Sequence, residues 1–246
     1  MHTTPHPHYR DARQNQLLAA LPAADWRRVQ PLLEPIELQA GQVLCESGSA
    51  PTSLIFPTTA IVSLLYMTRE GASSEVGVVG NDGAVGIALV MSGQATPYQA
   101  VVQSAGQAYR LRARALDLEV ARAGAVFHTL LRYTQALIAQ VTQTAACNRY
   151  HTIDQQLCRR LLVGLDHSPT DVLVMTQELA SSLLGVRREG VTAAAQKLRQ
   201  AGAIRYHRGH IAVLDRRQLE TRTCECYARA KKEYHRLLPR PMPLAA

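Results

Sequence analysis

The spacing of apolar and polar residues changes twice along the chain. Between Leu17 and Leu33 the apolar residues recur at helical intervals interrupted by proline, which predicts short helices. From Ile36 to Leu116, short runs rich in Val, Ile, Leu and Tyr are separated by Gly, Pro, Asn, Asp and Ser. Such runs are typical of an antiparallel barrel or sandwich. From Leu116 to about Leu165 the helical spacing returns, so we expect a β domain between helical segments.

One of the later helices carries an apolar stripe of its own. Within Phe127–Asn148 the apolar residues repeat close to heptad spacing, which is typical of a helix that pairs with another. A long helix between two domains, with an apolar seam left over, is most simply a dimerisation helix. Burial of that helix within its own monomer is the alternative. The residues predicted for the dimer interface are Leu130, Leu131, Leu137, Ile138, Val141 and Ala145.

After a turn-rich connector at Gly164–Asp171, the pattern predicts two short helices with a tight break between them. The first, Thr176–Leu184, opens on a threonine that can cap the free N–H groups of its first turn. The second, Arg187–Ala201, has one apolar face and a charged first turn. Its apolar residues are Val191, Ala194, Ala195 and Leu198. Two helices joined by a glycine-containing turn form the helix-turn-helix layout that enters a DNA major groove.

A short strand is predicted before these helices, at Val172–Thr176, and a hairpin after them, at Ile204–Leu214. The hairpin has basic and imidazole side chains around a turn at Arg208. A helix-turn-helix followed by a basic hairpin is a winged helix. The remaining segment, Arg216–Leu238, is charged and predicted to be helical.

The start of the second helix offers the groups that DNA reading requires. Arginine pairs bidentately with guanine, and a carboxylate accepts a hydrogen bond from cytosine N4. The residues predicted to read bases are Arg187, Arg188, Glu189, Thr192 and Gln196. Those predicted to contact phosphates are Thr176, Gln177, Arg205, His207, Arg208 and His210. A merely solvated helix start is the alternative, but the spacing, turn, charges and hairpin all occur in register.

Charge and composition agree with a nucleic-acid partner. The chain has 27 Lys and Arg residues against 19 Asp and Glu residues, a formal net charge of +8, which favours a polyanion. No apolar run approaches the ~20 residues that span a bilayer, so no membrane partner is expected. The first residues lack the apolar core of a secretory signal, and the five cysteines are scattered. We therefore expect a cytoplasmic protein with free thiols.

Residues 20–220 resemble the Crp/Fnr family of bacterial transcription regulators. The family's recognition motif follows a pattern like S-R-E-x-V-x-R, and its Arg-Glu pair corresponds to Arg188 and Glu189. Ala193 replaces the second arginine of the motif, which removes one guanine contact. The resemblance implies an α+β fold: an N-terminal antiparallel β-roll like cyclic-nucleotide-binding domains, a long dimerisation helix and a C-terminal winged helix-turn-helix.

The pattern and the resemblance together divide the chain into five parts. A hinge is expected around Asn148–Asp154. The parts are a disordered leader at 1–16, a β-roll sensor domain at 17–122, a dimerisation helix and hinge at 123–158, a winged helix-turn-helix DNA-binding domain at 159–220, and a C-terminal helix and tail at 221–246.

The effector site departs from the family's pattern. Members that bind cyclic AMP hold its ribose hydroxyl with a glutamate and its cyclic phosphate with the arginine of an Arg-Ser or Arg-Thr pair. The nearest segments here have Ile87 in place of the glutamate, and Tyr98 and Gln99 in place of the pair. A buried phosphate without arginine lacks its charge partner, a penalty of several kcal/mol. Cyclic AMP is therefore not expected as effector. The turn at Asn81-Asp82-Gly83 either serves another ligand or is an ordinary structural turn.

The cysteines do not follow the family's oxygen-sensing branch either. That branch holds an iron–sulfur cluster with cysteines near the N-terminus, whereas no cysteine precedes Cys45 here. Cys224 and Cys226 are the closest pair, and two thiolates need further ligands for a tetrahedral metal site. Cys158 and His235 are imaginable partners for a metal site, but we expect two ordinary thiols on a terminal helix, and no metal or other cofactor.

The sequence has no nucleophile elbow, phosphate-binding glycine loop or HExxH motif, so we do not expect an enzyme. The expected function is a homodimeric transcription regulator that reads a near-palindromic operator in double-stranded DNA. The β-roll would sense an unidentified signal, and RNA polymerase is left open as a further partner. The alternative is a regulatory module that does not bind DNA, in which the β-roll binds a ligand or protein and the winged helix serves assembly.

Overall fold

The computed structural model describes residues 9–238. The first eight residues of the predicted leader, and the tail beyond 238, lie outside this range. From Tyr9 onward the leader is ordered, contrary to expectation. Asn15 explains why: it is fully buried, caps the first turn of helix α1 (Gln16–Ala19), and donates to the carbonyl oxygens of Pro57 at 2.9 Å and Gly83 at 2.8 Å. The leader is therefore fastened to the β domain by a buried amide.

The N-terminal domain is built from two antiparallel sheets, as predicted. Helix α2 (Ala23–Val29) precedes it, and helix α3 (Ala88–Met91) lies between the fifth and sixth strands. The strands are β1 (Glu34–Leu38), β2 (Val43–Cys45), β3 (Ser53–Pro57), β4 (Ile61–Met67), β5 (Ser73–Val79), β6 (Gln99–Ser104) and β7 (Gly106–Arg112). One sheet has the order β1-β7-β3 and the other β2-β6-β4-β5. Buried aliphatic side chains from both sheets fill the space between them.

Three helices follow the β domain: α4 (Ala113–Ala121), α5 (Ala125–Tyr150) and α6 (Ile153–His167). With 26 residues, α5 is about 39 Å long at 1.5 Å per residue. The side chain of Gln140 on α5 hydrogen-bonds the backbone of the edge strand β5. It accepts from the N–H of Val78 at 3.0 Å and donates to the Val78 carbonyl at 3.3 Å. The long helix is thereby fixed to the β-roll.

The chain breaks between α5 and α6 at His151, inside the predicted hinge region. Thr152 restarts the helix with a capping box, in which its hydroxyl accepts from the N–H of Gln155 and the Gln155 side chain accepts in return. The turn-rich connector predicted from Gly164 is partly wrong, because α6 continues to His167. Leu165 is buried in the core of the C-terminal domain, and that packing outweighs the turn propensity of its neighbours.

The C-terminal domain is the predicted winged helix. Its elements are β8 (Val172–Val174), α7 (Gln177–Leu184), α8 (Arg188–Gln200), β9 (Ile204–His207), β10 (His210–Val213) and α9 (Arg216–Arg222). The three strands form an antiparallel sheet in the order β8-β10-β9. A last helix, α10 (Glu225–Leu237), follows a break at Thr223 and runs back along α5. No helix within 9–238 is long and apolar enough to cross a membrane.

The winged helix packs against the β-roll of its own chain through a buried ion pair. Arg160 on α6 and Glu75 on β5 have side chains only 3% and 6% exposed. The arginine Nη2 donates to the glutamate Oε2 at 3.1 Å, and Nε lies 2.6 Å from Oε1 without being aligned for a hydrogen bond. Ser63 donates to the same carboxylate at 2.6 Å, and Gln103 accepts from the guanidinium. This network joins the two domains.

Candidate nucleic-acid interface

The turn between α7 and α8 depends on one glycine. Thr176 caps α7, its hydroxyl accepting from the N–H of Leu179 at 2.9 Å. Gly185 ends the helix with φ of 65°, in the left-handed region that side chains disfavour. A Cβ there would also lie 3.2 Å from the hydroxyl oxygen of Ser74 on β5. The glycine therefore turns the chain toward α8 and lets the turn lie against the β-roll.

Helix α8 separates an apolar face from a polar one. The four apolar residues predicted for its inner face are all buried in the domain core, which fixes the rotation of the helix. The five residues predicted to read bases are all exposed: Arg187, Arg188, Glu189, Thr192 and Gln196. Arg187 is the N-cap, so the helix begins one residue later than predicted. Within 9–238 no ion pair engages Arg187, Arg188 or Glu189, and their charges face solvent.

Thr192 has a contact that the sequence did not reveal. Its hydroxyl oxygen lies 2.9 Å from Oε1 of Gln177 and 2.9 Å from the Arg188 carbonyl oxygen, so its one proton is donated to either acceptor. A predicted base reader and a predicted phosphate contact are therefore within hydrogen-bonding distance of each other. This contact joins α7 to α8 at the surface that would face DNA.

The wing is a tight hairpin with its basic side chains on one face. The turn residues Arg208 and Gly209 have φ of 44° and 82°, as a two-residue hairpin turn with both residues left-handed requires. His207 is paired directly with His210 across the strands, and Arg205 lies two residues before His207, so all three share a face. All four basic or imidazole side chains are exposed. The methyl group of Thr176 lies 3.3 Å from the Cβ position of Gly209, so the wing tip adjoins the start of α7.

The stripe on α5 is narrower than predicted. Leu130 is only 2% exposed, and Leu137 is half-buried, because both pack into the β-roll core of their own chain. Leu131 and Ile138 are 39% and 56% exposed, and Ala145, a further seven residues on, is exposed as well. Val141 is half-buried between the two faces. The exposed seam therefore contains three of the six predicted residues, with Val141 at its margin.

The three residues that the sequence resemblance led us to expect in place of nucleotide-binding side chains are packed into the fold. Ile87 is 4% exposed and lies in the core with Leu54 and Val90. Tyr98 packs against the core between the sheets, and burial raises the pKa of its phenol. Gln99 donates to the Glu46 carboxylate at 2.7 Å. Ile87 is therefore a core residue, and Tyr98 and Gln99 are occupied by contacts within the β-roll.

A cavity of about 310 Å³ lies where α5, α6 and α10 meet the β-roll. Asp82, from the turn considered above as a ligand site, lines it, and its Oδ1 lies 3.5 Å from Nδ1 of His167. The neighbouring Gly83 is packed so closely that a Cβ would lie 2.5 Å from the hydroxyl oxygen of Tyr133. Burial raises the pKa of the Tyr133 phenol, with the Asp82 charge adding to it. The turn thus has a structural role, and its aspartate also faces the cavity.

The cysteine pair near the C-terminus has partners other than the two suggested by the sequence. Cys224 and Cys226 lie with Cys147 and His151, and the four ligand atoms are all within 4.8 Å of one another. Cys158 belongs instead to the core of the winged helix. Burial raises the pKa of the Cys147 thiol, and the nearby Arg159 guanidinium opposes that change. The sequence offered one clue, the spacing of four between Cys147 and His151, which puts both on one side of a helix.

Two domain families match the chain in the order that the fold displays. Residues 35–122 match the cyclic nucleotide-binding domain, and residues 155–222 match the Crp-like helix-turn-helix domain. Together the two matches account for well over half of the chain. The molecule is therefore a DNA-binding transcription regulator. It belongs to the Crp/Fnr family.

Solved structures of such regulators share the fold. FixK2 from Bradyrhizobium japonicum has a TM-score of 0.67 at 13% identity, over 78% of this chain and 98% of that chain. TTHB099, a CRP-family transcriptional regulator from Thermus thermophilus, has a TM-score of 0.63 at 19% identity, over 76% and 95%. The c-di-GMP responsive global regulator CLP from Xanthomonas campestris has 0.63 at 13%, over 79% and 100%. No curated protein sequence matches the chain.

Proposed function

We propose that the chain acts as a homodimer that reads a near-palindromic DNA operator, with α8 in the major groove of each half-site. The observation that carries this proposal is the two-sided character of α8. Its apolar face is fully occupied by the domain core, whereas its first turn presents exposed arginines and a glutamate. Such a helix N-terminus supplies the forked donors and the acceptor that distinguish base pairs.

Arg188 and Glu189 are the proposed principal base readers, because they occupy the positions of the family's Arg-Glu pair. Arg187, Thr192 and Gln196 assist at neighbouring positions, and Ala193 leaves one guanine contact unmade. The wing residues and the start of α7 would follow the DNA backbone. Their contacts position the protein without specifying sequence.

The proposed dimer forms along the exposed seam of α5, at Leu131, Ile138, Val141 and Ala145. A two-fold axis through this seam would place two copies of α8 on half-sites one DNA turn, about 34–36 Å, apart. Such a dimer would act in the cytoplasm. Contact with RNA polymerase stays a prediction from the family resemblance.

The β-roll is proposed as the sensor, with an effector other than cyclic AMP. Ile87 supports this proposal, because its buried side chain offers a ribose hydroxyl no hydrogen bond. The half-buried Tyr98 and the engaged Gln99 supply no positive charge for a cyclic phosphate. The c-di-GMP response of the Xanthomonas regulator CLP is a property of that protein, and we do not assign it to this chain.

Selection of bound duplexes from a random pool tests the DNA proposal. The full chain should enrich one near-palindromic sequence, and its affinity should exceed that for scrambled DNA by ~10³ or more at physiological salt. Arg188→Ala should lose about 1–3 kcal/mol on the selected site and relax discrimination at one base pair. Arg114→Ala, which removes an exposed arginine on α4, is the matched control. Equal losses on selected and scrambled DNA would reduce Arg188 to a phosphate contact.

A further inference from the structure

Two buried thiols from one end of the chain meet a thiol and an imidazole from the end of α5. Cys147, Cys224 and Cys226 are 0%, 5% and 0% exposed, and they form a cluster separate from the domain cores. Cys224 is the N-cap of α10, and Cys226 lies in the first turn of that helix. Cys147 and His151 lie one turn apart at the end of α5. The four side chains thus come from two helices and converge on one point.

We propose that Cys147, His151, Cys224 and Cys226 bind one Zn²⁺ in a closed tetrahedral site. Three thiolates and one imidazole form a ligand set characteristic of structural zinc. All four positions are supplied by the protein, so the site holds a metal without offering a vacant position for substrate. Softer thiolate ligands favour zinc over magnesium, calcium or manganese, which prefer oxygen.

The distances fit this assignment. With Zn–S of about 2.3 Å and Zn–N of about 2.0–2.1 Å, a tetrahedron has S···S edges of about 3.8 Å and S···N edges of about 3.6 Å. The Cys147 and Cys224 sulfur atoms are 3.5 Å apart, and the Cys226 sulfur lies 3.4 Å from Nδ1 of His151. The longest separation among the four atoms is no more than 4.8 Å, so adjustments of about 1 Å complete the tetrahedron.

The surroundings resemble the outer shell of a metal site. Nε2 of His151 lies 3.4 Å from a carboxylate oxygen of Glu225, while Nδ1 faces the cluster. A histidine that binds zinc commonly donates its other ring N–H to a carboxylate, which fixes the tautomer and strengthens the ligand. Gln143 donates to the Cys226 sulfur at 2.9 Å, a bond that favours the thiolate.

Charge balance points the same way. Three thiolates around Zn²⁺ carry a net charge of −1, which is costly to bury unless a cation lies nearby. Arg159 is 8% exposed, its Nη1 lies 3.4 Å from the Thr144 hydroxyl, and its Nε has no hydrogen-bond partner within the described residues. This guanidinium is close enough to stabilise charge on Cys147. A metal–thiolate centre would give the buried cation a counter-charge.

The position of the site gives the metal a consequence. It would join the C-terminal end of α5 to the N-terminal end of α10, beside the break at His151 that leads into the winged helix. Bound zinc would therefore fix the point about which the DNA-binding domain turns relative to the dimer helix. This consequence, unlike metal binding itself, rests on the proposed DNA function.

Metal binding is tested on the full chain without DNA. The reduced protein, loaded with Zn²⁺ and dialysed, should retain one zinc per chain, and Co²⁺ should give the intense visible and near-ultraviolet bands of tetrahedral thiolate coordination. Cys226→Ser should abolish both signals, whereas Cys45→Ser, which removes a buried thiol in the β-roll, should preserve them. Glu225→Gln should weaken zinc binding roughly 10–100-fold while the fold is kept.

Several results would overturn the proposal. These are the absence of stoichiometric metal in the wild-type chain, an octahedral cobalt spectrum, and equal losses in the Cys226 and Cys45 variants. A Cys147–Cys224 disulfide in a chain that binds no zinc after reduction would do the same. If Cys226→Ser does not fold, the zinc affinities of the wild-type and Glu225→Gln proteins are compared by competition with a chromophoric chelator. Equal affinities would then count against the proposal.

Operator affinity tests the consequence separately. Removing zinc from the wild-type protein should lower affinity for the selected duplex roughly 5–150-fold, the usual range of coupling between two sites. The Cys45→Ser protein should respond in the same way. The coupling would be refuted if the protein binds zinc, and gives the cobalt bands when loaded with Co²⁺, but its operator affinity is the same with and without zinc. Failure to bind any DNA would count against the proposed function and leave the metal result standing.

Discussion

Replacing Arg160 with methionine should separate the winged helix from the β-roll. Methionine fills a similar volume but cannot pair with Glu75, whose side chain is 6% exposed. The carboxylate would keep the Ser63 hydroxyl as donor and lose both nitrogen contacts, at 2.6 and 3.1 Å. Removing one partner of a buried ion pair typically costs about 3–5 kcal/mol. Against a total stability of about 5–15 kcal/mol, this is a large fraction.

A double variant shows whether the loss comes from the stranded charge. Arg160→Met combined with Glu75→Gln leaves a neutral amide that can still accept from Ser63. Because the unpaired carboxylate is gone, this protein should recover about 1–3 kcal/mol relative to Arg160→Met alone. Arg160→Lys, which keeps a positive charge but loses the fork, should fall between wild type and Arg160→Met.

Urea unfolding at fixed protomer concentration provides the measurement. The chain has a single tryptophan, Trp26, which packs against the core of the N-terminal domain, so its fluorescence reports the β-roll. Far-ultraviolet circular dichroism reports all the helices. In Arg160→Met the two transitions should separate, because the domains no longer unfold together. A loss below about 1 kcal/mol, or a double variant no more stable than the single one, would refute the reasoning.

Three further predictions concern the exposed seam of α5, the carboxylate of Glu34 and the buried side chain of Ile87. Ile138→Asp should convert the proposed dimer to monomers in sedimentation, whereas Leu118→Asp, on a similarly exposed apolar residue of α4, should not. The reverse result would place the interface on α4 instead of α5. Hydrogen bonds from Arg112 and Arg110 lower the pKa of Glu34 to about 2, below its ordinary 4.5. The contribution of Glu34 to stability is therefore full above pH 4.5 and is lost as the pH falls toward 2. Glu34→Gln should therefore make the free energy of unfolding in urea depend less on pH across this window. The difference between the variant and the wild type should shrink in high salt. Cyclic AMP should leave the melting temperature unchanged, and a rise that grows with its concentration would contradict the role given to Ile87.

Most of the fold could be predicted from the local spacing of apolar residues. The helix-turn-helix followed from spacing within a few residues, because the buried face of α8 and the turn at Gly185 are set by near neighbours. Local spacing could not show which of Leu130 and Leu131 faces the β-roll. Adjacent apolar residues on a helix both fit a heptad pattern, and only packing against the β-roll shows which of them faces inward.

Contacts between distant segments could not be predicted in the same way. Cys147 and Cys224 are 77 residues apart, and nothing in their local sequence indicates that α10 folds back along α5. The Arg160 and Glu75 pair spans 85 residues and belongs to two domains. A pattern of spacing describes which face of an element is apolar, but it does not say which other element covers that face.

The return of α10 along α5 changes how the DNA-binding domain can move. The chain enters that domain at His151 and leaves it at Thr223, and the cysteine cluster places these two crossings side by side. A domain that is joined to the rest of the molecule at two adjacent points rotates most easily about the axis through those points. Rotations about other axes are resisted. The buried ion pair between Arg160 and Glu75 is a further contact between that domain and the β-roll, and it would resist such a rotation. Breaking that pair would therefore favour rotation of α8 about this one axis.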